Sequence, residues 1–449
     1  MSLTAAAPSK IVPLNPLQQW RYFSEPMAMG NWMREHYGDF VPVHFQGREF
    51  ITAMTAEGAR QIFSKDPDGY DAFWKESFAG LMGQESVWVL IQAQHRRERQ
   101  RFAPAVHAHH FRPYGHIIQD IARYHIGQWQ PGQTIKAIDT TLAIALDVIM
   151  RLVFGVEEEA LMQTGRKILK EFTEAIHPLI VFFPQLQRPW FPLWRRYDRI
   201  REEVFAWQSR LMAARRAREA KFAEAQDVLG VLMNARDEAG RPLDEVYIHS
   251  QLISILSAGH ETTAVALAWA LYELGRHPDV MAKLRAEVER LGPNADPIQL
   301  LTLPYLSAVC NETIRFHPIL AECARVPMSP LEIMGRHIPA GQALGISIVG
   351  IHHDPAVYPE PNRFRPERFI ERTYSNTEFL PFGGGHRRCL GAGLAEYTLR
   401  LALAEMALRW EFEPARVDQD VRRNIAMGPR YGVPLRILSQ RTPQHVNTH

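Results

Sequence analysis

Cysteine is scarce. Only Cys310, Cys323 and Cys389 occur in 449 residues, too few and too scattered for a disulfide framework or a zinc site, and a chain of this kind suits a reducing cytoplasm. Charge imbalance is missing too: 51 basic residues face 49 acidic ones, leaving a formal net charge of +2. That balance argues against nucleic acid as a partner and leaves any attraction to charged partners to local patches. The opening stretch MSLTAAAPSKIVPLNPLQQW has no apolar run of the length a signal peptide or membrane anchor needs, so a soluble protein is expected. Internal repeats and low-complexity tracts are absent as well. One domain over 1–449 is therefore expected, with residues 1–20 along the surface and 440–449 a disordered tail. The 46% hydrophobic and 22% charged content is that of an ordinary globular core.

The stretch around which the chain is organised is PFGGGHRRCLGAGLA, Pro381 to Ala395. Phe382, Gly385, Arg387, Cys389 and Gly391 follow the spacing F-x-x-G-x-R-x-C-x-G. Gly383 to Gly385 permit positive φ and close backbone approach. A helix starting near Leu390 places Cys389 at a positive helix end, where a thiolate is favoured. A single sulfur so held is a metal ligand more readily than a disulfide partner.

Periodicity elsewhere is mainly helical with a small β region. VPVHFQGREFIT, Val41 to Thr52, reads as a hairpin, and Ala56 to Ser64 as a helix. The aromatic-rich segment with Tyr70, Phe73, Trp74, Phe78 and Trp88 reads as a long loop. QHRRERQRFAPAV, Gln94 to Val106, is a basic helix with His95 and Arg99 on one face. Amphipathic runs cover Arg112 to Trp129, Asp139 to Phe154, Glu157 to Glu174 and Tyr197 to Ala225, and the apolar, proline-bearing segment Ile176 to Trp194 reads as a lid. The longest helix spans about Asp244 to Arg276. Its apolar middle demands burial on nearly all sides, yet it holds Ala258-Gly259-His260-Glu261-Thr262-Thr263. A glycine there costs about 1 kcal/mol relative to alanine, and a glutamate on a buried surface must be hydrogen-bonded or solvated; a local opening that holds a ligand and water accounts for both. Helices follow at Val280 to Leu291 and Leu303 to Phe316, then strands and turns from Arg325 to Ser347. Pro359 to Phe369 is too proline-rich for helix, one more helix runs from the cysteine loop to Trp410, and the closing MGPRYGVPLRIL alternates like strands. Glu312 and Arg315 share a helix face and, with Arg368, could form a buried charge triad.

AGHETT, ETIR, PERF and FGGGHRRCLG, in that order and at these separations, make the chain resemble the cytochromes P450, heme-thiolate monooxygenases. HRRER near residue 95 and the closing strands extend the resemblance to most of the chain. It implies the cytochrome P450 fold in a single domain, heme b (iron protoporphyrin IX) as cofactor, and Cys389 as the axial iron ligand. Phe382 would pack near the sulfur, and Gly385 and Gly391 would allow close approach of backbone and helix. His95, Arg99, Arg325 and Arg387 would hold the propionates, although tryptophan often stands at the place of His95. Glu312, Arg315 and Arg368 would be structural. Thr262 and Glu261 would relay protons to the oxygen site, with Gly259 leaving room there. Keeping both favours reductive oxygen activation over a peroxide-driven peroxygenase or a dehydratase, and a heme-based binder or gas sensor is the non-enzymatic alternative.

The expected substrate is a medium-sized lipophilic molecule: a terpenoid, steroid, fatty acid or macrolide-like compound. Its pocket would be walled by Phe73 to Trp88, Ile176 to Trp194, Leu256, Ala258, Ile319 to Ala324 and Met427. Glu322 is unusual beside that wall and is expected to point away. Nothing in the chain supplies a flavin or iron–sulfur domain, so electrons would come from a separate ferredoxin or flavodoxin with its reductase, steered by Arg96, Arg97, Arg101 and Arg388. A monomer is expected. His260, Cys310 and Cys323 read as structural, and His107, His109 and His110 as solvated surface.

Overall fold

The structure, a computed structural model, describes residues 14–45, 48–66, 69–106, 111–218, 227–423 and 425–442. Residues 1–13, His107, His109, His110 and the tail beyond 442 lie outside them. Helices dominate, and local chemistry sets their ends. The central helix, Glu245–Arg276, starts where the Asp244 side chain accepts the Val246 N–H at 2.7 Å, a standard cap for an orphan donor. It stops at His277, because Pro278 disfavours a helical conformation in the residue before it. With 32 residues it is about 48 Å long. Every residue from Ala264 to Leu274 is buried, as an all-round apolar sequence requires.

Around it pack helices Ala137–Leu152, Pro304–Phe316 and Ala392–Arg409, which share one large apolar core with it. A second core lies toward the N-terminal half of the central helix, where helices Lys75–Met82, Glu159–Ala175, Pro178–Phe182 and Pro192–Arg216 meet.

Among the described residues twelve short strands complete the fold: β1 (Phe40–Phe45), β2 (Arg48–Ala53), β3 (Tyr70–Asp71), β4 (Thr134–Lys136), β5 (Glu322–Pro327), β6 (Leu331–Ile333), β7 (Arg336–Ile338), β8 (Ala343–Ser347), β9 (Trp410–Pro414), β10 (Asp420–Arg422), β11 (Met427–Pro429) and β12 (Pro434–Gln440). The largest sheet has the order β1-β2-β8-β5-β3, and β4-β12-β9, β6-β7 and β10-β11 form smaller ones. The parallel pair β2–β8 sits close because Gly345 carries no Cβ, which would fall 2.4 Å from Thr52 Oγ1.

Three local expectations are corrected. The aromatic segment is not a long loop: it carries β3 and the helix Lys75–Met82, which has no side-chain N-cap for a sequence pattern to announce. The helix expected over Tyr197 to Ala225 begins earlier, at Pro192, and ends at Arg216. The turn-rich Pro359–Phe369 stretch ends in a short helix, Arg368–Glu371.

The triad itself forms. Arg315 Nε and Nη2 donate to Glu312 at 2.6 and 2.9 Å, and Arg368 Nε donates to the same carboxylate at 3.1 Å. All three side chains are almost wholly buried. The spare guanidinium donors reach the carbonyls of His352, Pro359, Glu360, Pro361 and Arg363, so the cluster pins the turn-rich segment under the Pro304–Phe316 helix.

Candidate active site

The cysteine loop is shaped by two left-handed glycines, Gly383 at φ 65° and Gly385 at φ 63°, a conformation that costs other residues energy. Steric crowding adds a second constraint. A Cβ on Gly384 would lie 2.3 Å from the Phe63 ring, and one on Gly385 2.1 Å from Asp66 Oδ2. The Cys389 N–H donates to the Phe382 carbonyl at 2.9 Å, closing the loop on itself. Phe382 is half-buried against the main core, with Arg388 over its ring at 5.8 Å. Gly391 is the N-cap of helix Ala392–Arg409, and a Cβ there would meet no protein atom within 4 Å, so close helix packing is not its reason for being glycine.

Cys389 keeps accessible surface but is enclosed by enough protein that burial is the largest influence on its thiol and pushes it up. The N–H groups of Gly391 and Ala392, with Arg388 and Arg99, act in the opposite direction. The cradle thus lowers the cost of the anion, and coordination to a metal would supply the rest.

Beside the loop the structure brings together His95 and Arg99 of helix Gln92–Val106, Arg325 of β5, and Arg387. Arg387 Nη2 donates to the Leu90 carbonyl at 2.6 Å. Burial and then neighbouring Arg325 lower its guanidinium to about 10. Burial, followed by Arg387 and Arg99, pushes His95 down to about 3, so its imidazole is neutral at pH 7. Burial also lowers Arg99, while Cys389 opposes that shift. Sequence reasoning missed Asp66, an acid in contact with this group. It faces Arg325 as a fork, 3.3 Å from Nη2 and 3.4 Å from Nε, and accepts the His386 N–H at 2.9 Å.

The charges here do not cancel. Arg99, Arg325 and Arg387 bring three positive charges, against which stand Asp66 in contact and Asp71 acting on Arg387 from farther off, so among the described residues the cluster keeps an excess of positive charge. That remainder fits a ligand with two carboxylates, which guanidinium groups hold by charge-assisted hydrogen bonds. A soft sulfur aimed from a glycine loop beside such a dicarboxylate site fits an iron porphyrin with two propionates.

On the central helix, Ile255, Ala258 and Thr262 keep accessible surface, whereas Leu256 is fully buried in the second core. The spacings of three and four put the first set on one face, so Leu256 is corrected from pocket wall to core. Thr262 Oγ1 donates to the Ala258 carbonyl at 2.6 Å, a bond that loosens the helix ladder at the notch. Gly259 is corrected as well: its missing Cβ faces Ile149 Cδ1 at 3.3 Å, where it allows close packing on helix Ala137–Leu152. His260 turns the same way, its Nε2 3.1 Å from the Leu142 carbonyl, and burial pushes it down to about 4. Glu261 is held by Arg423 Nε at 3.1 Å, from the turn between β10 and β11.

Glu322 is bonded to Tyr22 of helix Pro16–Ser24, with Arg422 Nη2 3.8 Å from it. It therefore ties the N-terminal helix to β5. Of the four surface arginines, Arg97 pairs with Glu238, Arg101 with the buried Glu98 at 2.9 Å, and Arg388 lies over the Phe382 ring. Cys310 and Cys323 are pushed up by burial to about 12 and about 11, which suits inert packing residues. Among the described residues no cluster of three His, Cys, Asp or Glu could hold a metal, and no helix is long and apolar enough to cross a membrane.

Comparison with known proteins places this geometry in context. The family model for cytochrome P450 matches residues 7–433. Cytochrome P450 135A1 of Mycobacterium tuberculosis is 33% identical over 420 residues, covering 91% of this chain and 90% of that relative. Cytochrome P450 138 of Mycobacterium bovis is 29% identical, covering 96% and 97%. Among solved structures, retinoic acid bound cyanobacterial CYP120A1 superposes with a TM-score of 0.82 at 23% identity, covering 94% of this chain and 96% of that one. The heme domain of cytochrome P450DA gives 0.81 at 22%, covering 97% and 98%.

Proposed function

The chain belongs to the cytochrome P450 family of heme b-dependent monooxygenases, and on that premise we propose that it hydroxylates or epoxidises a medium-sized lipophilic molecule with electrons from separate redox proteins. The observation that carries this reading is the pairing of one cradled thiol, Cys389, with a guanidinium cluster left in positive excess. Cys389 is the iron ligand, and Arg99, Arg325 and Arg387 hold the propionates with neutral His95 as a further donor. When bound, the heme supplies oxygen activation, and thiolate donation favours O–O cleavage.

The chain's own groups do the rest. Phe382 anchors the loop, its ring against the main core and its carbonyl accepting the Cys389 N–H. Ile255 and Ala258 give the central helix an apolar wall, which suits a terpenoid, steroid, fatty acid or macrolide-like substrate better than a charged one. Thr262 carries a hydroxyl on that same face. Glu261, one position on and tethered to Arg423, holds a carboxylate that can pass protons inward from solvent. Arg388, next to Cys389 in the chain, is a docking cation for an acidic ferredoxin or flavodoxin, while Arg97 and Arg101 are committed to Glu238 and Glu98. A single-domain cytoplasmic monomer is the form that fits this role.

Cys389→Ser tests the assignment. The reduced carbon monoxide adduct of the wild type is expected to give the thiolate-type spectrum, and the variant is expected to lose it completely; its survival in the variant removes Cys389 as ligand. Turnover of Soret-shifting lipophilic compounds is expected with NAD(P)H, a reductase and a ferredoxin. Turnover with hydrogen peroxide alone would instead place the chain among the peroxygenases.

A further inference from the structure

The acid at the guanidinium cluster comes from a part of the chain that carries no motif. Asp66 follows helix Ala56–Phe63, 259 residues before Arg325 and 320 before His386. Its side chain is only 6% exposed and that of Arg325 4%, so this pair lies out of reach of solvent screening. A buried carboxylate must have its lone pairs filled, and among the described residues the donors to Asp66 belong to the heme-side machinery: Arg325 Nε and Nη2, and the His386 N–H. Arg325 Nη2 also donates to the Gly384 carbonyl at 3.0 Å, and Phe63 lies under its guanidinium at 5.5 Å. One carboxylate thus joins β5 to the cysteine loop, three residues before the sulfur. The fit is tight enough that Gly385 has no room for a Cβ beside Asp66 Oδ2.

We propose that Asp66 is a positioning residue of the heme site: it clamps the Arg325 guanidinium to the Gly384–His386 backbone, and its charge offsets part of the guanidinium excess that a pair of propionates would meet. This rests on the heme-thiolate reading and deepens it. Without Asp66 the cluster would carry one more uncompensated positive charge, and that charge would favour the ferrous over the ferric state. A charge fixed in a buried, weakly screened place acts on an electron-transfer equilibrium over several ångströms. Asp66 therefore helps keep the resting iron ferric and the potential low.

The test compares Asp66→Asn and Asp66→Glu with wild type as heme-loaded proteins, by spectroelectrochemical titration. Asp66→Asn keeps an acceptor for the His386 N–H but removes the charge. Its ferrous-to-ferric ratio at a fixed solution potential is expected to rise about three- to tenfold, tenfold being about 59 mV for one electron. Asp66→Glu keeps the charge and is expected to stay within about twofold of wild type. An Asn variant that melts at lower temperature but titrates like wild type overturns the proposal, because Asp66 would then be structural only. A Glu variant shifted as far as the Asn variant overturns it too. If the wild type itself shows no thiolate-type carbon monoxide spectrum, the heme-thiolate reading fails and the present inference falls with it; a normal wild type with an unshifted Asn variant sinks the Asp66 inference alone.

Discussion

Two buried charge clusters, one around Glu312 and one around Arg325, differ in how they are balanced. Around Glu312, two guanidiniums share one carboxylate and spend their remaining donors on backbone carbonyls. The shared acid also accepts the Arg365 N–H at 2.8 Å, and the cluster as a whole is satisfied by protein. Around Arg325, three guanidiniums meet the Asp66 carboxylate, and two of them are lowered by burial. A cluster that completes its own hydrogen bonding is a fastener. One that leaves charge unmatched in a buried place is built for something else to arrive.

The largest effect is expected from breaking the fastener. Glu312→Gln leaves Arg315 and Arg368 buried without their counter-charge, a change that costs about 3–5 kcal/mol. Chemical denaturation of the heme-free chain should show it as a large fall in midpoint or as insoluble protein. Arg387→Leu should behave in the opposite way. It relieves repulsion with Arg325, so heme-free stability should stay within about 1 kcal/mol of wild type. Heme affinity should fall about 10–100-fold, the loss of a charge-assisted contact, as measured by transfer to an apo-globin acceptor. If Arg387→Leu destabilises the heme-free chain as much as Glu312→Gln does, the distinction between the clusters collapses.

A third cluster sharpens the comparison through pH. His317 is stacked on Trp269 at 3.9 Å and lies 3.0 Å from Glu273 and 2.7 Å from Asp420. Burial alone would lower its imidazole, but Asp420 and Glu273 outweigh that and raise it to about 9. The folded chain therefore holds a proton that the unfolded chain releases near pH 6.5. This stabilisation is fully present below about pH 6.5 and is lost as pH rises through about 9. It is on the order of 3 kcal/mol at about 1.36 kcal/mol per pH unit. Urea midpoints should fall between pH 6.5 and 9 in wild type and lose most of that slope in His317→Gln. The same slope in both would assign the pH dependence to other groups.

What could be read from the sequence follows sequence distance closely. Phe382, Gly385, Arg387, Cys389 and Gly391 lie within ten residues, and Glu312 and Arg315 share a helix face by spacing alone. Those local patterns, with the burial of the central helix, carried the family resemblance, and the family model bears that resemblance out. Contacts closed by the tertiary fold could not be read in this way. Asp66, Arg423 and Tyr22 meet Arg325, Glu261 and Glu322 across 259, 162 and 300 residues, and nothing in composition marks one aspartate or arginine among dozens. Helical direction was the other blind spot. Periodicity identified the helix around Gly259 and Leu256, but only packing shows that these two turn toward other helices.

The smallest expected effect concerns a pair that is neither fastener nor open cluster. Arg423 Nε and Glu261 Oε1 are 3.1 Å apart with side chains 38% and 27% exposed, so the pair contributes about 0–1 kcal/mol to stability. Arg423→Gln should leave the denaturation midpoint almost unchanged. It should nonetheless alter catalysis, because it releases the one carboxylate placed beside Thr262 without deleting it. The expected readout is the product formed per NAD(P)H consumed, changed about twofold, with the Soret response to substrate unchanged. Glu261→Gln, which deletes the charge, should change that ratio further in the heme-loaded enzyme. Equal coupling in wild type, Arg423→Gln and Glu261→Gln would mean that protons reach the oxygen site by another route, and that this exposed pair only tethers the β10–β11 turn to the central helix.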